Sequence, residues 1–405
     1  MAYPGVFAAS RPDHPAVIMA GSGDTLTYRD LDERSNRLAH VLRAQGLQRG
    51  DHIALFMENQ LTYMEVVWAA LRAGLYVTAI NSFLTAPEVA YIVDDCDARV
   101  VISSRARAEV AAAIDRADTP KVERWLMADS DDTTPSTWES YEAAVAEQPA
   151  TPIADESCGL PMLYSSGTTG RPKGVKRPLP EIAVDELPPR VAEGMVSTYS
   201  YGPDMIYLSP APMYHAAPLV FSLGVHRIGG TLVIMERFDP VALLRGIEQY
   251  RASHTQVVPT MFVRLLKLDE ADRAAHDLSS LDVAIHAAAP CPVDVKRQMI
   301  EWWGPVLLEY YAGTEGIGST FITSEEWLRK PGSVGRELAG ELDICDADGN
   351  DLPPGEIGGV YFSGQGGYEY HKDPAKTAEA ALTGGRATLG DVGYVDEDGY
   401  LFLTD

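Results

Sequence analysis

The run YSSGTTGRPKGVKR at residues 164–177 concentrates residue types that bind phosphate. Glycine lets backbone N–H groups approach an anion closely, hydroxyl groups donate hydrogen bonds to phosphate oxygens, and lysine adds a mobile positive charge. The run contains these types at Ser165, Ser166, Gly167, Thr168, Thr169, Gly170, Lys173 and Gly174. Its order differs from that of a P-loop, in which Ser or Thr directly follows Gly-Lys. Taken alone, the run favours a flexible linker over a phosphate-binding loop, and both interpretations stay open.

The charge of the whole chain sets this run apart. The 405 residues include 33 Lys and Arg against 58 Asp and Glu, a formal net charge of −25. Such a charge repels nucleic acid and anionic membrane surfaces, so we expect no nucleic-acid partner. The segment 171–177 nevertheless carries only positive charges. A basic loop in an acidic protein suits a small anion, although a charge run is also typical of a solvated face.

The apolar patterning and the positions of the cysteines indicate the cellular compartment of the protein. The N-terminus has no sustained apolar stretch behind a basic start, and no later segment reaches about 20 apolar residues, so we expect a cytoplasmic protein without a transmembrane segment. The cysteines stand singly at Cys96, Cys158, Cys291 and Cys345. This spacing excludes a close-pair zinc or redox motif and indicates buried, reduced thiols.

The segments that must position the run alternate between helix and strand patterns. Thr27 is a candidate N-cap of a helix that stops at Gly46, and Asp239 with Pro240 begins another. Apolar strand patterns follow each, which predicts a layered α/β fold. The segment 120–160 is rich in acidic residues, Ser, Thr and Pro, and we expect it to be a peripheral excursion.

From about residue 335 the pattern changes to short strands with Asp-Gly turns. We therefore predict α/β subdomains with mixed sheets and a small C-terminal β-rich, barrel-like subdomain. The approximate boundaries are 1–175, 176–334 and 335–405, within one N-terminal domain.

The run YSSGTTGRPKGV closely resembles the phosphate-binding signature of the adenylate-forming superfamily, which includes acyl-CoA synthetases, luciferases and adenylation domains of peptide synthetases. This resemblance implies further motifs in a fixed order along the chain. The second appears as LSPAPMYHAAPL, in which His215 would lie beside the carboxylate that is activated. Outside that order, a hydrogen-bonded structural histidine would be the ordinary interpretation.

The third motif appears as the pair HAAAPCP and YYAGTEG. The resemblance implies that Ala287, Ala288 and Ala289 form a shelf for the purine and that Tyr311 covers its other face. Thr314 would bind the α-phosphate, and Glu315 would hold Mg²⁺ through a hard oxygen ligand. Both loops follow predicted strands, at the ends where open α/β sheets bind ligands. Without the resemblance, Tyr311 would be read as a core aromatic and Glu315 as a surface acid.

The fourth motif is TLGDVGYVDEDGYLFLTD, in which Asp391 would accept hydrogen bonds from the ribose hydroxyls. In the family the pattern continues past this segment into a C-terminal lid domain with a catalytic lysine. We expect the given chain to be the large N-terminal domain, with the lid domain absent from it.

The resemblance implies an ATP-dependent acyl-CoA synthetase. The enzyme would activate a carboxylic acid as acyl-AMP, release pyrophosphate and transfer the acyl group to CoA, with ATP, Mg²⁺ and CoA as its cofactor and co-substrates. The stretch YHAAPLVFSLGVH contains no acid that could pair with a substrate ammonium, which favours fatty, aryl or steroid-type acids, as in fatty acid metabolism. A homodimer is left open as the assembly.

Two alternatives follow from the same residues. A ligase could share the first step and load a carrier protein in place of CoA, because the acceptor is chosen largely outside these motifs. A noncatalytic nucleotide-binding protein is the other, although the presence of Lys173, Thr314, Glu315 and Asp391 argues against a decayed site.

Overall fold

The computed structural model describes residues 3–165, 171–186, 189–365, 367–380 and 385–404. The chain forms two compact units, Met1–Arg237 and Phe238–Asp405. Among the described residues, no helix is both long and apolar enough to cross a membrane. All four cysteines are free thiols; three are buried and Cys291 is partly exposed.

Two helices of the first unit begin at a capping box, one at Thr27 and one at Thr85. Its helices are α1 (Pro4–Ser10), α2 (Tyr28–Ala44), α3 (Leu61–Arg72), α4 (Ala86–Asp95), α5 (Ala108–Ala112), α6 (Tyr141–Ala146), α7 (Pro189–Tyr199) and α8 (Ala216–Ile228), with short 3-10 turns at Arg105–Arg107 and Arg116–Asp118. The predicted cap at Thr27 is confirmed, because its side chain accepts a hydrogen bond from the Asp30 N–H at 3.1 Å and its own N–H donates to Asp30 at 2.9 Å. The helix ends just before Gly46, whose φ is +82°.

The strands of the first unit form a parallel sheet, a second group of paired strands and a hairpin. They are β1 (Pro15–Met19), β2 (Thr25–Thr27), β3 (His52–Phe56), β4 (Tyr76–Ile80), β5 (Ala98–Ser104), β6 (Arg124–Ala128), β7 (Glu139–Ser140), β8 (Leu160–Pro161), β9 (Leu163–Ser165), β10 (Lys173–Lys176), β11 (Ile206–Ser209) and β12 (Thr231–Ile234). The six-stranded sheet has the order β7-β6-β5-β3-β4-β8 and its strands are parallel. Strands β3 and β4 are buried along their whole length, as expected when helices cover both faces.

The expectation of a peripheral excursion over 120–160 is wrong. Strand β6 lies inside the parallel sheet and pairs with β5 on one side and β7 on the other. The residues from Trp125 to Ala128 are buried in it, and Trp138 packs edge-on against Trp125 with ring centroids 5.0 Å apart. The polar residues that suggested an excursion lie mainly in the connections that flank β6, and others lie in β7 and α6.

The second unit combines three parallel strands with antiparallel ones. Its helices are α9 (Pro240–Tyr250), α10 (Pro259–Leu266), α11 (Glu270–Ala274), α12 (Val293–Trp303), α13 (Ser324–Arg329) and α14 (Pro374–Glu379). Its strands are β13 (His254–Val257), β14 (Val283–His286), β15 (Leu307–Ala312), β16 (Ser319–Thr323), β17 (Arg336–Ala339), β18 (Glu341–Cys345), β19 (Gly358–Ser363), β20 (Glu369–Tyr370), β21 (Ala387–Val395) and β22 (Leu401–Leu403). The predicted cap of α9 is confirmed, since Asp239 accepts from the Ala242 N–H at 2.9 Å.

The pairing in the second unit determines where its loops emerge. Strands β13, β14 and β15 run parallel, and β16 and β17 continue the sheet antiparallel. A separate antiparallel sheet has the order β18-β19-β21-β22. These mixed sheets and the small C-terminal antiparallel sheet confirm the predicted fold class. The subdomain boundaries stay a prediction. Because β14 and β15 are parallel neighbours, the loops after them leave the same edge of the sheet.

Candidate active site

The loop after β14 carries the predicted alanine shelf. Ala287 is buried, whereas Ala288 and Ala289 are exposed. Ala288 has a φ of +74°, in the left-handed region where a Cβ clashes with the following carbonyl oxygen. This conformation costs an alanine roughly 1–2 kcal/mol, whereas glycine adopts it readily. The loop therefore holds a strained backbone turn with small side chains facing solvent.

Tyr311 near the end of β15 and Asp391 in the middle of β21 lie close together. The Tyr311 hydroxyl donates to Asp391 Oδ2 at 2.5 Å, although the two residues are 80 positions apart in the chain. The Tyr311 ring packs against Phe362, with ring centroids 6.2 Å apart. Burial raises the pKa of the Tyr311 phenol, and the nearby Asp391 and Glu315 carboxylates raise it further. Tyr311 is therefore a protonated donor at neutral pH, and it lies near both acids of the predicted site.

Thr314 and Glu315 lie in the turn that follows β15. Thr314 is partly exposed, whereas Glu315 is only 8% exposed. The Tyr370 hydroxyl donates to Glu315 Oε1 at 2.9 Å. The other oxygen, Oε2, lies close to Gly313. A Cβ added at residue 313 would lie 2.7 Å from Oε2 and 2.4 Å from the Leu389 side chain. The Glu315 carboxylate is thus buried and confined on both of its oxygens.

Tyr370 was not among the predicted site residues. Nothing in its sequence surroundings indicates chemistry: the local pattern shows only a short strand before the Asp373–Pro374 helix start. Its contact with Glu315 joins residues 55 positions apart, so the signal lies in the tertiary structure.

A buried ion pair lies behind the shelf and the Tyr311 strand. Lys296 on α12 donates a hydrogen bond to Glu309 on β15, and Lys296 has no exposed surface. His286, directly before the shelf, lies with Nε2 3.7 Å from the same Glu309 oxygen. Burial lowers the pKa of Lys296 and, strongly, that of His286, and it raises the pKa of Glu309. His286 is therefore neutral, and the Lys296–Glu309 pair ties α12 to β15.

In the first unit, β9 and β10 carry the two ends of the predicted phosphate-binding run. Ser165 and Lys173 are directly paired in the antiparallel register, so their side chains leave the same face of the hairpin. Lys173 is partly exposed. The other predicted loop residues lie outside the described residues, namely Ser166, Gly167, Thr168, Thr169 and Gly170.

Helix α4 anchors both of these strands. Tyr164, next to Ser165, donates to Asp95 at 2.5 Å. Tyr91, one turn earlier on α4, donates to the Pro172 carbonyl at 3.1 Å. The Arg171 guanidinium also lies over the Tyr91 ring, 4.9 Å from its centroid. Two side chains of a single helix therefore hold the described residues on either side of the loop.

His215 lies at the N-cap of α8 and makes no side-chain capping bond. It is exposed, with its ring 4.4 Å from that of Tyr214. Partial desolvation lowers its pKa, so the imidazole is neutral at pH 7. A neutral imidazole can donate from one nitrogen and accept at the other.

Asn59 fixes the loop before His215, and the sequence analysis missed it as well. Its amide donates to the Ala211 and Met235 carbonyls at 3.1 and 2.8 Å, and its oxygen accepts from the Met213 N–H at 2.9 Å. Asn59 is 7% exposed. A polar residue three positions after an apolar strand was the available signal.

The donor set fits a magnesium ion that is shared with a ligand. Across the described ranges, no group of three or more His, Cys, Asp or Glu side chains is arranged to hold a metal. Mg²⁺ is usually bound by one or two carboxylates together with substrate phosphates, and it keeps several waters. A single buried carboxylate such as Glu315 meets that requirement.

The chain is similar to known proteins along most of its length. The family described as AMP-binding enzyme matches residues 6–369. The feruloyl-CoA synthase of Amycolatopsis sp is 31% identical over 97% of this chain and 75% of its own length. The long-chain-fatty-acid–CoA ligase FadD13 of Mycobacterium tuberculosis (strain CDC 1551 / Oshkosh) is 31% identical over 98% of this chain and 76% of its own. The fatty acid–[acyl-carrier-protein] ligase ScoC of Streptomyces coeruleorubidus is 29% identical over 98% of this chain and 75% of its own.

A solved structure matches along the whole chain. The crystal structure of the N-terminal domain of FACL13 from Mycobacterium tuberculosis covers 100% of both chains, with a TM-score of 0.84 and 28% identity.

Proposed function

Since the chain belongs to the AMP-binding enzyme family and matches its acyl-CoA ligases over nearly its whole length, we propose that it activates a carboxylic acid with ATP and passes the acyl group to CoA. The acid attacks the α-phosphate of ATP, which releases pyrophosphate and leaves an acyl adenylate. The CoA thiol then displaces AMP. The observation that carries this proposal is the hydrogen bond between Tyr311 and Asp391, beside the buried Glu315.

The second unit supplies groups suited to AMP. The small side chains at 287–289 leave room for a flat purine, and the Tyr311 ring offers an aromatic face. Asp391 accepts the ribose hydroxyls. Each carboxylate oxygen has two acceptor sites, so the bond from Tyr311 leaves capacity for both hydroxyls. Thr314 hydrogen-bonds the α-phosphate through its partly exposed hydroxyl.

Charge neutralisation is the main requirement of the first step, because a carboxylate must approach a polyphosphate. Glu315 would hold the Mg²⁺ that accompanies ATP, and the ion would neutralise phosphate charge. Lys173 and the Ser165 hydroxyl, paired across β9 and β10, bind phosphate oxygens together with the hydroxyls of Ser166, Thr168 and Thr169. His215, neutral at pH 7, hydrogen-bonds the carboxylate of the acid. These groups work by position and charge, with no covalent intermediate on the protein.

The acid is fatty, aryl or steroid-type in this proposal. The segment around His215 carries no acidic residue that could pair with a substrate ammonium. The names of the relatives include a feruloyl and a long-chain fatty acid substrate, both of which lack an α-amino group.

The proposal is tested by ATP–pyrophosphate exchange with the full chain and a panel of such acids. Glu315→Gln and Asp391→Asn should each lower the acid-dependent exchange rate by about 10²–10³. Glu356→Gln, at an exposed acid of the same unit, should leave it unchanged. Exchange that persists in the first two variants would contradict the assigned roles.

A carrier protein is the second candidate acceptor, and the match to ScoC supports it. Preformed acyl adenylate can be offered to free CoA or to a phosphopantetheinylated carrier protein, with the thioester product measured by mass spectrometry. Product from CoA alone supports the first proposal, and product from the carrier protein alone supports the second.

A further inference from the structure

The Glu315 carboxylate receives its hydrogen bond from a residue with no assigned role. Glu315 is 8% exposed, and a buried carboxylate must be hydrogen-bonded to offset the loss of water. The Tyr370 hydroxyl donates to Oε1 at 2.9 Å, while Oε2 lies over Gly313. The orientation of the carboxylate therefore depends on the position of the Tyr370 hydroxyl.

We propose that Tyr370 is a positioning residue that orients Glu315 toward the metal–phosphate part of ATP. The inference rests on the proposed role of Glu315. A phenol suits this task because it donates a hydrogen bond without adding charge, so the carboxylate keeps its full attraction for a cation. Lysine or arginine in the same place would cancel that attraction.

The backbone of Tyr370 is itself held in place. Its N–H donates to Thr377 Oγ1 at 2.9 Å, and the Thr377 hydroxyl donates to the Asp373 carbonyl at 3.0 Å. Asp373 caps α14 by accepting from the Lys376 N–H at 2.9 Å. The first turn of α14 thus fixes the strand that carries Tyr370.

The ring of Tyr370 is also constrained. It packs edge-on against Tyr368, with centroids 5.4 Å apart and an interplanar angle of 89°. The Tyr370 hydroxyl is therefore held beside Glu315 through both its backbone and its ring.

The expected effect follows from the behaviour of groups that hydrogen-bond metal ligands. Their removal typically weakens metal affinity or activity by about 10–100-fold. Tyr370→Phe removes only the hydroxyl and keeps the ring packing against Tyr368. Loss of the donor frees the carboxylate to rotate, which should weaken the contribution of Mg²⁺ to ATP binding and spare the binding of metal-free ATP.

The test is calorimetric titration of the full chain with ATP, once in excess Mg²⁺ and once in EDTA. The Kd in EDTA divided by the Kd in Mg²⁺ reports the contribution of the metal to ATP binding. Tyr370→Phe should reduce this ratio by about 10-fold or more, with the Kd for metal-free ATP unchanged. Tyr400→Phe is the matched control, because its hydroxyl also donates to a glutamate, Glu326, at 3.3 Å; it should leave both constants unchanged.

Three results with Tyr370→Phe would overturn the inference. Two unchanged Kd values would mean that the hydroxyl is dispensable, and an increased ratio would mean that it competes with the metal. An equal loss of both affinities would indicate a purely structural role. If circular dichroism shows that Tyr370→Phe does not fold, Thr377→Val serves as a second variant, because it removes the acceptor of the Tyr370 N–H. Thr377→Val should lower the ratio by a smaller factor. An unchanged ratio in Thr377→Val would also overturn the inference.

Glu315→Gln separates this inference from the function on which it rests. If that variant keeps the wild-type ratio, the proposed role of Glu315 fails and the inference fails with it. If Glu315→Gln lowers the ratio while Tyr370→Phe does not, only the role of Tyr370 is refuted.

Discussion

Replacing Lys296 by methionine should destabilise the second unit strongly, because it leaves Glu309 buried without a charged partner. The Lys296 side chain is 0% exposed and that of Glu309 is 6% exposed, so water cannot take the place of the ammonium group. Removing one partner of a buried pair typically costs about 3–5 kcal/mol. For a unit of this size, that loss corresponds to a Tm roughly 6–20 °C lower. Methionine keeps the length of the side chain and can pack on Trp327, over whose ring the ammonium now lies.

The pH dependence provides a second signature. Burial raises the pKa of Glu309 and Lys296 partly offsets that shift, so the pKa should rise further when the lysine is removed. An unfolded glutamate ionises at about pH 4.3. The folded variant then binds more protons than the unfolded chain between that pH and the raised pKa, and its stability falls as pH rises through this window. The deficit of Lys296→Met should therefore shrink on acidification.

Thermal and urea unfolding, followed by circular dichroism at about pH 5 and about pH 8, would measure both effects. The double variant Lys296→Met/Glu309→Leu is the control, since replacing both charges by apolar groups is often neutral or stabilising. A loss below about 1 kcal/mol in the single variant, or a deficit that grows on acidification, would refute the reasoning.

Two further substitutions test the backbone around the site. Ala288→Gly should raise the stability by roughly 0.5–1 kcal/mol in thermal unfolding. The φ of +74° strains alanine, and the relief of this strain should exceed the cost of the greater flexibility of glycine in the unfolded chain. A lower Tm would contradict this prediction. Asn59→Ala should lower the stability by about 2–4 kcal/mol in urea unfolding, because the Ala211, Met213 and Met235 backbone groups lose a buried partner; a loss below about 1 kcal/mol would show that water replaces the amide.

The sequence was most informative where the interactions are local. The caps at Thr27 and Asp239 act on backbone groups three residues away, so both helix starts could be predicted from residue type and spacing. Helix α12, Val293–Trp303, also has local boundary signals, because Pro292 and Gly304 flank it. The ordered motifs that carry Lys173 and Glu315 were likewise recognisable, since each is a short contiguous run.

Contacts between distant residues needed the tertiary structure. Strand β6 was misread because parallel pairing with β5 depends on the fold and leaves little trace in a polar segment. The strain at Ala288 was also invisible, since the residue type gives no sign of a positive φ.

The amino-acid sequence by itself determined the family, the fold class and the identity of the groups available for catalysis. The tertiary structure alone decided which hydroxyl holds each carboxylate. Tyr311 donates to Asp391 across 80 positions, and Tyr370 donates to Glu315 across 55. The physical reason is that a hydrogen bond requires approach to about 3 Å, and for residues so far apart in the chain only the packing of strands and turns sets that distance.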